Sequence, residues 1–195
     1  MKRRLFALLI VFLLVFSLTS SVFAQQDYSF ILEKEIVHVY LNDNGTMSLD
    51  YTFVFKNNPG AHMIDYVDVG MPHPGYVYSS ISADVDGKTA IIDSDYQGDG
   101  NYGVAVDLVT YGNAIMAGER GQVHVRVGTV ERVLYNDDND DGYASAVFSP
   151  TWFGSQYVTG NTDLTVAFHL PSGVQPEEPR YHIPDNWPGD DAPQT

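Results

Sequence analysis

The stretch Tyr135-Asn136-Asp137-Asp138-Asn139-Asp140-Asp141-Gly142-Tyr143 is the densest concentration of potential metal-ligating oxygens in this chain. Asp137, Asn139 and Asp141 stand at alternate positions, Tyr143 continues the spacing, and Gly142 permits a sharp turn. This is the pattern of the first half of a calcium-binding loop, in which oxygens two residues apart converge on a hard cation. The second half departs from it. A helix-loop-helix site requires a bidentate Glu where this chain has Phe148, and the flanking runs read as strands, so an EF-hand is excluded. A hairpin loop that recruits a further carboxylate, Asp138, Asp140 or one from a neighbouring loop, is the calcium reading. The alternative is a solvated acidic turn whose crowded carboxylates repel one another unless screened. A looser group, Asp93, Asp95 and Asp99 with Gly98 and Gly100, offers the same oxygen chemistry.

Other reactive side chains are weaker candidates. His62, Asp65, Asp68 and His73 mix imidazole with carboxylate but lack the close pairing of a zinc site, so rim residues are the simpler reading. Ser155, in Phe153-Gly154-Ser155-Gln156-Tyr157, lacks the second glycine and the strand-to-helix context of a nucleophile elbow. Glu119 and Glu131 are the best acid-base pair for glycoside hydrolysis, yet nothing in the sequence brings them to the separation that chemistry needs. No catalytic residue is assigned, and a non-enzymatic protein is expected. Aromatic residues point instead to binding. Tyr76 and Tyr78 would share one face of a strand, and Tyr96, Tyr102, Tyr111, Trp152 and Tyr157 lie in or near loops, where rings stack on sugars or proteins. For Trp152, just after a strand, the favoured reading is a plug closing one end of the fold.

The elements that must position these residues read as strands. Met47, Leu49, Tyr51, Phe53 and Phe55 alternate with Ser48, Asp50 and Thr52 over Thr46 to Lys56. Glu35 to Leu41 precedes it across Asn42-Asp43-Asn44-Gly45, and the two make a β-hairpin. Met63 to Val69, Tyr76 to Val85, Thr89 to Asp93, Val104 to Val109, Gln122 to Tyr135, Ala144 to Phe148 and Leu164 to Leu170 are further runs rich in Val, Ile, Tyr and Phe, separated by Gly, Pro, Asn and Asp. Gly128 marks a bulge or a crossing between sheets. The expected fold is all-β: an antiparallel β-sandwich of about eight or nine strands, immunoglobulin-like or jelly-roll-like.

The ends frame this domain. Lys2, Arg3 and Arg4 precede an apolar run from Leu5 to Phe16, and Val22-Phe23-Ala24 ends a stretch of small, weakly polar residues. Residues 1–24 therefore read as a signal peptide cleaved before Gln25, residues 25–170 as the sandwich, and 171–195 as a Pro- and Asp-rich tail or linker. The expected location is secreted or cell-surface. Cysteine is absent, so no disulfide or thiolate metal site holds the fold. The formal charge of −15 becomes −18 once Lys2, Arg3 and Arg4 leave, and Asp outnumbers Glu by nineteen to six. That field disfavours nucleic acid and anionic lipid, and attracts cations.

The run Ile36-Val37-His38-Val39-Tyr40-Leu41-Asn42-Asp43-Asn44-Gly45-Thr46-Met47-Ser48-Leu49-Asp50-Tyr51-Thr52-Phe53 resembles the start of the extracytoplasmic β-domain in a family of uncharacterised predicted bacterial membrane proteins. There, a strand, an Asx-Gly turn and an alternating strand follow the signal peptide directly. The resemblance covers about a quarter of the mature chain and implies a downstream membrane anchor that would be missing here, but no activity. The expectation is a non-catalytic surface or secreted domain with a protein or glycan partner, in a binding or envelope-structural role, steadied by calcium. The rival is a carbohydrate-binding module or carbohydrate-active enzyme. A row of exposed aromatics beside a groove with carboxylates favours the rival.

Overall fold

The computed structural model describes residues 27–181 apart from 99, 139 and 176, so the signal segment 1–24, Asp99, Asn139 and the end of the tail lie outside the described residues. Strands β1 (Phe30–Leu41) and β2 (Met47–Asn57) form the expected hairpin. Its turn is closed by Asn42, whose N–H donates to the Thr46 carbonyl at 2.9 Å, and by Asn44 Oδ1, which accepts from the Thr46 N–H at 3.1 Å. Gly45 takes φ +79°, a conformation that strains residues bearing a Cβ. The alternation in β2 is translated directly into burial. Met47, Tyr51, Phe53 and Phe55 are all fully buried, each contributing about 1.5–3 kcal/mol relative to exposure.

The remaining strands are β3 (Tyr66–Gly70), β4 (Ile81–Val85), β5 (Lys88–Asp93), β6 (Gly103–Asp107), β7 (Arg120–Val130), the short pair β8 (Tyr135–Asn136) and β9 (Ala144–Ser145), and β10 (Asp163–His169). Eight of them make one sheet in the order β10-β1-β2-β7-β4-β5-β6-β3, with β8 and β9 a separate ribbon. The all-β class is as expected. The antiparallel sandwich needs correction: β10 lies parallel to β1, from Lys34 opposite Asp163 to Tyr40 opposite His169, so the sheet is mixed. The chain reaches β10 through the long segment after β9, and such a crossover lets it re-enter beside β1 in the same direction. The sheet also curls. Residues 88–90 of β5 pair with β4 while residues 91–93 pair with β6, so the strand passes from one part of the sheet to the next. Val67, Val69, Val104 and Val106 at the far end thereby share one core with Tyr51, Phe53, Val123 and Val125.

Two irregularities set which residues face inward. Gly128 lies at a bulge as anticipated: Met47 pairs with Val130 but Leu49 with Val127, leaving an extra residue in β7. A Cβ on Gly128 would lie 3.1 Å from Ser80 Cβ. The second bulge is at Glu33, since Leu32 faces Phe55 and Lys34 faces Val54. It reverses the phase of β1: Phe30 and Leu32 are buried before it, and Glu35, Val37 and Val39 after it.

Three strand expectations shorten. Tyr76 to Val85 is interrupted by a 3-10 turn at Tyr78–Ser80, where Ser80 Oγ donates to the Val77 carbonyl and accepts from the Thr129 N–H. Tyr76 and Tyr78 consequently do not share a strand face; their hydroxyls donate to the Gly103 and Ile92 carbonyls. Gln122 to Tyr135 ends as β7 at Val130, and Ala144 to Phe148 keeps only two strand residues.

Candidate functional site

A cleft of about 160 Å³ opens between the N-terminal approach to β1, the start of β3 and the loop 152–157. Tyr28 is one of the aromatic residues that line it. The Tyr28 ring meets Tyr66 edge-on at 5.8 Å, Tyr157 at 6.2 Å and His62 at 4.9 Å, while its hydroxyl donates to Asp65 Oδ1 at 2.5 Å. Burial and the neighbouring Asp65 carboxylate push the Tyr28 phenol far up, so it stays a neutral donor. Asp68 and Gln97 supply polar groups at the wall: the Gln97 N–H donates to Asp68 Oδ1 at 3.2 Å. Burial raises the Asp68 carboxyl, and the charge of Asp95 adds to the rise.

The loop 152–157 divides its aromatics between core and solvent. Phe153 packs edge-on against Phe30, Phe53 and Phe55 at 5.9, 5.7 and 5.6 Å, closing the end of the core. Trp152 beside it is 81% exposed. The plug reading for Trp152 is thus corrected: neighbouring side chains of the segment leave in different directions, and Phe153 takes the inward place. The loop is held to β1, with the Phe30 N–H on the Tyr157 carbonyl at 2.9 Å and the Thr159 N–H on the Phe30 carbonyl at 2.7 Å. The exposed Trp152 and the rings of Tyr28, Tyr66 and Tyr157 line the same cleft.

The acidic loop joins β8 to β9 and is closed by its own hydrogen bonds. Asp137 Oδ1 accepts from the Asp140 N–H at 3.2 Å and Oδ2 from Ser145 Oγ at 2.7 Å. Asp140 Oδ1 accepts from the Gly142 N–H, and Oδ2 meets Arg180 Nη1 at 3.2 Å. The Arg180 guanidinium also covers the Tyr143 ring at 3.9 Å, and the Tyr143 carbonyl accepts the Asp137 N–H. Among the described residues, no group of three or more His, Cys, Asp or Glu side chains converges as a metal-holding cluster; Asn139 lies outside them.

Of the other candidates, His62, Asp65 and Asp68 gather around Tyr28 and its cleft, and the rest are dispersed. Asp65 is engaged by Tyr28, Asp68 by Gln97, His62 by the Met63 carbonyl and His73 by the Gly75 N–H. Asp93 accepts from the Asp95 N–H within a turn. Glu119 and Glu131 flank β7 on opposite ends, roughly 40 Å apart at strand rise, whereas a hydrolytic pair stands within about 10 Å. Tyr96 is half-buried against glycines; a Cβ at Gly103 would come within 2.5 Å of its ring.

Cross-strand clusters without local signatures appear as well. His124 lies between Asp50 Oδ1 at 2.7 Å and Asp84 Oδ2 at 3.1 Å, with Arg126 Nε on Asp50 Oδ2 at 3.2 Å. Inside the core, Glu35 Oε1 lacks a hydrogen-bond partner, and the buried Tyr51 hydroxyl lies near Glu35 and the Thr151 side chain. Burial pushes the Glu35 carboxyl up to about 7, offset in part by the Thr151 main-chain N–H.

No family model matches this chain, and no curated protein matches it. Among solved structures, the M1 zinc metallopeptidase of Deinococcus radiodurans aligns over 54% of this chain and 21% of its own, with 15% identity and a TM-score of 0.36. Native yeast LTA4 hydrolase aligns over 58% and 18%, with 10% identity and a TM-score of 0.37. This chain therefore spans about a fifth of the length of those structures, and the likeness is too slight to carry an argument about this protein.

Proposed function

We propose that this chain is an exported, non-catalytic binding domain whose aromatic cleft holds a glycan. One observation carries the reading: Trp152 stands 81% exposed on a loop anchored by Phe153, beside a cleft lined by Tyr28, Tyr66 and Tyr157. A pyranose has an apolar face for the indole and hydroxyls for the Gln97, Gln156 and Asp68 side chains at the wall. The formal charge, −15 for the whole sequence and −18 once Lys2, Arg3 and Arg4 are removed, directs the choice toward neutral or amino sugars and away from acidic ones. The sandwich-like layering belongs to the same proposal, the curled sheet acting as two layers with the cleft at one end. Calcium at the loop of Asp137, Asn139, Asp141 and Tyr143 enters as a stabiliser, not as part of the cleft.

The test is retention of the purified protein on immobilised neutral and amino-sugar oligosaccharides, followed by calorimetry on those that bind. Replacing Trp152 or Tyr157 by Ala lowers affinity about tenfold, the value of one stacked ring. Failure to retain any saccharide, or binding indifferent to both substitutions, overturns the reading.

A further inference from the structure

We propose that His38 and His169 form a two-histidine site for a divalent transition-metal ion with the coordination preference of copper(II) or nickel(II). The parallel pairing of β1 and β10 makes the site. Tyr40 stands opposite His169 and His38 opposite Ala167, which brings the two imidazoles together on the outward face. His38 Nδ1 and His169 Nε2 are 2.8 Å apart. The Tyr40 ring stacks on the His169 ring at 4.2 Å and 13°, fixing its plane.

One imidazole donates a hydrogen bond to the other, at a separation that a single ion could also span. Two nitrogens about 2.0 Å from an ion at cis positions of a square plane are about 2.8 Å apart, whereas the tetrahedral angle preferred by zinc separates them by about 3.3 Å. Metal binding displaces the proton shared by the two rings, and imidazole nitrogens favour copper(II) most strongly among the first-row divalent ions. His169 is exposed, so the remaining equatorial positions face solvent and take water or a small anionic ligand. The net negative charge of the chain raises the local concentration of cations. An ion held there ties β10 to β1 across 131 positions of sequence.

Copper(II) is titrated calorimetrically into the untagged protein, and into His38→Gln and His169→Gln variants whose circular dichroism matches the parent. The expected result is one tight equivalent, an electron paramagnetic resonance spectrum with hyperfine structure from two imidazole nitrogens, and at least tenfold weaker binding in either variant. Zinc binds more weakly than copper. Copper binding of equal affinity in the parent and in both variants, or no tight equivalent in the parent, overturns the proposal.

Discussion

Replacing Glu35 by Gln separates the cost of a buried charge from everything else in this acidic protein. Glu35 is 4% exposed, its Oε1 has no partner, and burial moves its carboxyl from 4.5 to about 7. The folded state therefore holds this proton more tightly than the unfolded chain does. Below about pH 4.5 both states are protonated and the group imposes no charge penalty; as pH rises through about 7 the folded state must ionise too, and the full penalty is present above it. The displacement from 4.5 to about 7 corresponds to about 3 kcal/mol, at about 1.4 kcal/mol per pH unit. Glutamine has nearly the same shape and cannot ionise. At about pH 8 the variant should be more stable than the parent by about 2–3 kcal/mol, and at about pH 4.5 the two should agree within about 1 kcal/mol, the difference of one imperfect hydrogen bond. Urea unfolding followed by far-ultraviolet circular dichroism across that range measures both numbers. The many surface carboxylates titrate alike in the two proteins and cancel. A stability difference that does not change with pH would refute the reasoning, because it would mean that Glu35 ionises in the folded state as easily as in the unfolded chain.

Two further outcomes follow from the loop and the ribbon. Phe153→Ala removes the ring that closes the core and should cost about 3–5 kcal/mol in urea unfolding, while Trp152→Ala, at an exposed position, should stay within about 0.5 kcal/mol of the parent. Thermal unfolding in EDTA and then in millimolar calcium should show a rise in Tm that Asp137→Ala with Asp141→Ala abolishes; equal midpoints in both conditions reduce the loop to a turn closed by Arg180 and its own hydrogen bonds.

What could be read from the chain is what is local. The β1–β2 hairpin follows from alternation and an Asx-Gly turn, and the bulge at Gly128 from a glycine inside a long β run. The inward turn of Glu35 depends on one extra residue at Glu33, and a charged residue heading a strand gives no sign that register has shifted beneath it. Trp152 and Phe153 look equally suited to the core, and only the space between Phe30, Phe53 and Phe55 decides between them. The cleft assembles Tyr28, Tyr66, Gln97 and Tyr157 from four separate parts of the chain. Its wall is a product of sheet order, which strand patterns do not encode. The same is true of His124 between Asp50 and Asp84, which are brought together by three neighbouring strands.

The parallel seat of β10 also imposes an order of events. A chain made from its N-terminus completes β1 and β2 long before the residues of β10 exist, and until then the outer edge of β1, from Lys34 to Tyr40, is an open row of hydrogen-bonding groups. Glu35 turns inward within that row, and Lys34, which reaches Asp163 at 4.0 Å, places a charge at its beginning. Such an edge is a template for another chain, and a charged side chain along it discourages the wrong partner. Seating β10 thus covers the edge of β1 and moves the open edge of the sheet outward to β10 itself, and the slow closing of a contact so distant in sequence sets how long the β1 edge stays uncovered.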